Sequence, residues 1–262
     1  FEYAAQAIHS AQRGLTVWKT DASRIVVGDD QSQVRPDYYK DQLRKAWPEI
    51  RILPDAFPLL EQVRRSKKDG KPKGCTWIWN AGLRLLRSTC DFVVVCNDDV
   101  IFGKGWDAPF AEALTKKQAY LVGPVTNAPG KSSPTSQDVR SYLPDYVLSD
   151  ESEQVDETAA KLLRLSEDVP KLVPGIVNGF CMAASTEEWF ARAARPDLNQ
   201  VFDERYFLHN NEHDFQRRNK FTMEHCPASI CTRSFVFHYR SLTRGNLHLT
   251  PGWYRTRRAI TC

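Results

Sequence analysis

Apolar and polar positions alternate along this chain in two rhythms. Residues 1–12 (FEYAAQAIHSAQ) carry Ala4, Ala5, Ile8 and Ala11 at helical spacing, which predicts an amphipathic helix. Arg24-Ile25-Val26-Val27-Gly28 reads as a short buried strand running into Asp29-Asp30-Gln31-Ser32. Pro36, Pro48, Pro54 and Pro58 then predict an irregular region with short elements. A basic, glycine-containing loop over 64–74 (RRSKKDGKPKG) leads into a predicted helix over 75–88. Its apolar side holds Ile78, Leu85 and Leu86, with Gly82 on the same face by spacing. The run from Asp91 to Val100 (DFVVVCNDDV) follows directly. Its consecutive apolar residues, valines at the centre, predict a strand buried on both faces. An amide and two adjacent carboxylates end it: Asn97, Asp98 and Asp99.

Downstream, Leu121-Val122-Gly123-Pro124 predicts another short strand, entering a polar loop rich in Ser, Pro and Gly. A helix is expected over 156–166, a return to the core from Ile176 to Met182, and helices over Glu187–Arg195 and Glu212–Lys220. Ser234 to His238 predicts a last strand before a basic tail. Alternating helix and strand argue for an α/β fold with a mostly parallel sheet.

Composition narrows the class without naming a function. The chain has 262 residues, 42% hydrophobic and 26% charged, as in an ordinary globular protein of one large or two small domains. A formal charge of +4 does not compel a nucleic-acid partner. Seven cysteines, with no CxxC pair, make a reducing, cytoplasmic setting the simpler expectation, with one disulfide left open. No apolar run approaches the ~18 residues of a membrane span, and no signal peptide is visible. The chain begins at Phe1, so an upstream segment, a membrane anchor among the options, is expected to precede it.

Ligands of open α/β sheets bind outside the carboxyl ends of the strands, so the 91–97 strand is expected to deliver its acids to a site. Hard oxygen ligands there suit Mg²⁺ or Mn²⁺ together with a substrate's phosphates. The plainer reading is a solvated Asn-Asp turn. Asp29-Asp30 and Asp98-Asp99 end two strands separated by a helical crossover, a spacing that can bring both pairs to one sheet edge. One pair could meet a nucleotide's base or ribose while the other holds a metal; alternatively they are unrelated turns.

Ordered motifs then carry a resemblance. VVGDDQS, CTWIWNAGLRLL and FVVVCNDDV, followed by Val122–Asn127 (VGPVTN), Val177–Met182 (VNGFCM), Phe202-Asp203-Glu204, Asn211–Arg218 (NEHDFQRR) and Val236-Phe237-His238 with Ser241 and Thr243, resemble the inverting, family-2-type glycosyltransferases of the GT-A fold. The resemblance covers roughly residues 1–250. It implies one Rossmann-like domain, residues 1–125 binding the nucleotide sugar and 126–262 binding the acceptor and carrying the basic tail. It departs in two places: the family's first strand is absent, and its Glu-Asp pair is Asn211-Glu212 here.

The resemblance implies a metal-dependent transferase moving a sugar from a nucleotide diphosphate, UDP-sugar favoured, to a hydroxyl of a glycan or glycoconjugate. Asp99 would bind Mn²⁺ or Mg²⁺ with Asn97 or Asp98 assisting and His238 as a further ligand; otherwise His238 is a strand-end histidine bonded to backbone. Glu212 is the candidate general base, favoured as a carboxylate at a helix start, or else a plain capping acid. Asp214 is the runner-up base or orients the acceptor. Asp29 and Asp30 would meet the nucleoside, and Asn80 and Gly82 the donor pocket, although Gly82 also suits close helix–sheet packing. Arg240 and Arg244 would close over the diphosphate, unless they are simply solvated. Trp253 is the one aromatic nominated for sugar stacking, and residues 127–175 are expected to hold acceptor specificity.

Two other functions compete. Loop 64–74 and tail 255–258 raise an acceptor on modified DNA bases, yet neither interleaves aromatics as strand-binding grooves do. Asn211 raises a nucleotide-sugar-binding protein without catalysis. A dinucleotide-binding dehydrogenase is disfavoured because no G-x-G-x-x-G follows a strand.

Overall fold

The computed structural model describes residues 2–28, 36–53, 74–129, 135–206, 211–219, 228–239 and 260–261. Among these, a nine-stranded sheet is covered by helices. Its strands are β1 (Val26–Gly28), β2 (Arg51–Leu53), β3 (Phe92–Cys96), β4 (Val100–Phe102), β5 (Leu121–Val125), β6 (Leu172–Pro174), β7 (Cys181–Ser185), β8 (Ala228–His238) and β9 (Ile260–Thr261). The helices are α1 (Glu2–Gly14), α2 (Pro36–Ala46), α3 (Gly74–Leu86), α4 (Asp107–Thr115), α5 (Ser152–Leu163), α6 (Thr186–Ala191) and α7 (Asn211–Arg218). No described helix is long and apolar enough to cross a membrane.

The valine-rich strand is buried on both faces, as its composition requires. Val94 and Cys96 of β3 join a core with α1 and α4, while Val93 and Val95 join the opposite core with α3, α6 and α7. β7 repeats the alternation, with Cys181 and Ala183 on the first side and Met182 and Ala184 on the second. A third cluster seats α5 on Ile101, Ile230, Phe235 and Phe237. The clusters mix residues from both sides of position 125.

The sheet is mixed, which corrects the expectation of a mostly parallel one. Following the pairings, β1, β2, β3, β5 and β8 all run one way. The reversed strands β9 and β7 interleave between them, so only β1–β2 and β5–β8 are parallel neighbours. Local pattern marks a buried strand but not the direction of the strand beside it. The five co-directional strands still place their carboxyl ends along one edge. Asn97, Asn127 and His238 stand there, close after or at the ends of β3, β5 and β8.

Several boundaries shift for physical reasons. Pro36 opens α2 rather than breaking the chain, because a first-turn proline lacks only an amide the helix would leave unpaired. The helix expected over 156–166 begins earlier, at Ser152, and the one over 187–195 ends at Ala191. β8 starts at Ala228, not Ser234, because its polar middle is buried and bonded. Thr232 Oγ1 donates to the Pro170 carbonyl at 2.7 Å, and Ser234 Oγ to that of Trp106 at 2.8 Å. Arg233 donates to the carbonyls of Leu165, Ser166 and Val169. None of the described thiols, Cys90 and Cys96 among them, forms a disulfide.

Asp107 pins the chain leaving α1. Its fully buried carboxylate accepts from the backbone amides of Thr16 at 2.9 Å, Val17 at 2.7 Å and Trp18 at 2.7 Å, and from Thr16 Oγ1 at 2.9 Å. Asp107→Ala is expected to lower the unfolding free energy by about 3 kcal/mol in urea titrations, since bonds to charged groups are the strong ones and their donors lose their acceptor.

Burial pushes the Tyr146 and Tyr239 phenols up to about 12, with Asp150 adding to the effect at Tyr239. The unfolded chain releases these protons near pH 10, so between pH 10 and 12 the folded state binds more protons and stability falls as pH rises. Phenolate absorbance and thermal midpoints measured across that window should therefore change together.

Candidate active site

β3 pairs with β7 along its whole length, and the Asn97 amide extends the ladder by donating to the Phe180 carbonyl at 2.8 Å. The chain then turns through Asp98 and Asp99 into β4, which lies antiparallel to β8 with Val100 opposite His238. The Tyr239 amide donates to the Asp99 carbonyl at 3.1 Å. This register brings His238 Nε2 to 3.3 Å from Asp99 Oδ1 and 3.5 Å from Asn97 Nδ2. Asp98 is buried in the same turn.

Two side chains set the His238 imidazole. Phe180 stacks on the ring at 4.8 Å between centroids and 12° between planes. Asn127 clamps the His238 backbone, its Oδ1 accepting from the amide at 2.8 Å and its Nδ2 donating to the carbonyl at 3.0 Å. His238 Nδ1 is buried with no hydrogen-bond partner among the described residues. Asp99 Oδ1 is likewise buried with no hydrogen-bond partner there.

The donor set fits a divalent cation. Two ligands at adjacent octahedral positions, with bonds of about 2.1 Å, stand about 3 Å apart, close to the 3.3 Å between Asp99 Oδ1 and His238 Nε2. The Asn97 amide can present oxygen or nitrogen by rotation, because its heteroatoms are assigned from hydrogen bonding. No group of three or more His, Cys, Asp or Glu poised for a metal occurs among the described residues. Asp99 and His238 supply two such groups, and Mg²⁺-type sites commonly complete their shell with water and substrate phosphates.

The second group of candidates lies in the first turn of α7. Its acids lie at the amino end and Arg217 and Arg218 at the carboxyl end, the order the helix dipole favours. Buried Asn211 donates to Thr76 Oγ1 of α3 at 3.0 Å. Gln216 grips Val177 from both sides, accepting from its amide and donating to its carbonyl at 2.8 Å each. These bonds hang Glu212 over Gly179, where an added Cβ would stand 3.0 Å from the Glu212 carboxyl carbon and 3.2 Å from the Trp79 ring. Gly179 immediately precedes Phe180, the residue whose ring stacks on His238.

The other expected site residues fall in different places. Asp214 makes an ion pair with Arg218 at 3.2 Å, and Arg218 also donates to the Arg192 carbonyl. Asn80 is fully buried, exchanging bonds with Phe202 through both amide atoms and donating to Glu204 at 3.2 Å. It therefore fixes the 202–204 segment. Gly82 lies inside a helix buried on all sides from 75 to 83. Trp77, Trp79, Trp106 and Trp189 are core residues. Asp29, Asp30, Arg240, Arg244 and Trp253 lie outside the described residues, as do loop 64–73 and tail 255–258. β1 nevertheless ends at Gly28, on the edge where β3 ends.

Sequence reasoning assigned no role to Asn127, Phe180, Gln137 or Gln216. Gln137 is buried, donating to the Pro124 carbonyl and accepting from the Asn178 amide. An amide with one donor and one acceptor on hand can replace a neighbouring strand; the signal available was amides placed beside apolar runs. No protein-family model matches this chain, and no curated protein matches it.

Asn127→Ala removes both bonds to the His238 backbone and should cost about 2 kcal/mol of unfolding free energy, with the His238 imidazole resonances shifted in NMR spectra. Unchanged stability and resonances would show that the clamp positions nothing.

Proposed function

We propose that this chain is a metal-dependent inverting glycosyltransferase of GT-A type, moving a sugar from a nucleotide diphosphate, UDP favoured, to a hydroxyl of a glycan or glycoconjugate. The observation that carries the reading is the meeting of Asn97, Asp99 and His238, residues as much as 141 positions apart. Asn97 and Asp99 belong to one motif of the resemblance and His238 to another. A divalent cation bound by Asp99 and His238 would offset the charge gathering on the departing diphosphate.

The remaining work falls to side chains. Phe180 and Asn127 hold His238 toward Asp99, so its direction is set before a donor arrives. Glu212 accepts the proton of the acceptor hydroxyl as that oxygen forms its bond to the anomeric carbon. The bond from that carbon to the diphosphate oxygen breaks on the opposite face, and the configuration inverts. Gly179 leaves the Glu212 carboxyl room that a methyl group would take. Asn211 is buried and bonded to α3, so the resembled family's first acid corresponds to a structural amide here and the base role falls to Glu212.

Glu212→Gln should reduce transfer by about 10²–10⁴-fold while the donor still raises the thermal midpoint in Mn²⁺. Near-normal turnover of that variant would remove Glu212 as base. Asp99→Asn should abolish saturable Mn²⁺ binding followed by electron paramagnetic resonance, independently of turnover. Donor binding without transfer or hydrolysis, across UDP-, GDP- and dTDP-sugars with Mn²⁺, would instead favour the non-catalytic binding protein.

A further inference from the structure

At the opposite edge of the sheet a cavity of about 240 Å³ opens where the chain enters β1 and β3. Its walls are aromatic. Trp18 stacks on Phe92 with centroids 5.6 Å apart and planes 15° apart, and meets Trp106 at 5.8 Å and 80°. A flat ring lying against the half-buried Trp18 or Phe92 ring extends this aromatic stack, a favoured arrangement. Trp18 and Phe92 are only half-buried, so part of this apolar surface faces the opening.

The wall is also held in advance. The Asp107 carboxylate takes the amides of Thr16, Val17 and Trp18, which fixes the turn presenting the Trp18 ring. Pre-formed apolar walls with a few placed polar groups characterise small-molecule sites, and ordering them beforehand removes part of the entropic cost of binding. Lys19 and Arg24 lie at the exposed rim. Lys19 has no ion pair among the described residues, and Arg24 has a loose one of 3.9 Å to exposed Asp21. Asp91 is the one carboxylate of the lining, so the rim carries excess positive charge.

We infer that this cavity is a second ligand site, separate from the sheet edge bearing Asp99 and His238, and that it takes a small, flat aromatic carboxylate. Its apolar body lies against the half-buried Trp18 and Phe92 rings, and Lys19 and Arg24 meet its anionic group. The volume suits one or two fused rings and lies below the ~300 Å³ at which drug-sized pockets begin. Cys90, half-buried in the same lining, supplies an internal reporter. The inference is independent of the glycosyltransferase reading.

The test titrates the full chain with naphthalene-2-carboxylate, following tryptophan fluorescence and heat, with the uncharged 2-naphthylmethanol as control. Saturable binding is expected, with iodoacetamide alkylation of Cys90 slowed at saturation. Lys19→Gln/Arg24→Gln, at exposed positions, should weaken the carboxylate about fivefold, as two exposed charge contacts warrant, and leave the alcohol unchanged. Absent saturation, or an unchanged Cys90 rate at saturation, overturns the site. A loss smaller than threefold, or equal weakening of the alcohol, overturns the anionic class of ligand.

Discussion

The structure depends on β8 remaining extended and buried over eleven consecutive residues, Ala228 to His238. Its first part pairs with β5 and β6, and its last part with β4. The change of partner coincides with a register shift beside Pro124 and Val125 and with the polar run Thr232-Arg233-Ser234. A buried hydroxyl or guanidinium without a partner would cost several kcal/mol. Here each is answered by a backbone carbonyl of a neighbouring segment. The same bonds that make the strand tolerable therefore fasten segments 165–171 and Trp106 around it, and they deliver His238 to the sheet edge in fixed register.

That register explains the chemistry available at the edge. Val100 opposite His238 sets Asp99 against the imidazole, and Phe180 and Asn127 prevent the ring from turning away. Asp99 Oδ1 is buried there with no hydrogen-bond partner among the described residues, an electrostatic burden because burial disfavours unpaired charge. A cation would relieve it, which is the physical reason for the proposed metal site. Glu212 is held over Gly179 by a separate route, through amide side chains that take the place of strand neighbours. Positioning here rests on Asn127, Gln137, Asn211 and Gln216 more than on charge.

The two edges of the sheet are built differently. The carboxyl edge gathers acids, amides and an imidazole; the opposite edge gathers indoles, a phenyl ring and cations. Asp107 links that second edge to the body of the protein, and Trp106, its neighbour in sequence, accepts the Ser234 hydroxyl of β8 through its carbonyl. The aromatic walls are thus attached to the middle of the strand that ends in His238.

Much of the framework was legible in sequence. The consecutive valines required burial on both faces, the helical spacing of Ala4, Ile8 and Ala11 required an apolar face, and three acids or amides after Cys96 required a polar strand end. These follow from side-chain periodicity, which is local. Strand direction, the interleaving of β7 and β9, and the extra length of β8 depend on partners far along the chain, and no local pattern encodes them. The same holds for the site. Its candidates Asn97, Asp99, Glu212 and His238 could be named from residue type and motif order, whereas Asn80 and Asn211 turned out to be buried braces. The amino-acid sequence by itself determined which segments are apolar on one face or two and where acids follow a strand. Only the tertiary structure decided which of those acids meet the imidazole, because that depends on the pairing of β4 with β8, a contact between residues more than a hundred positions apart.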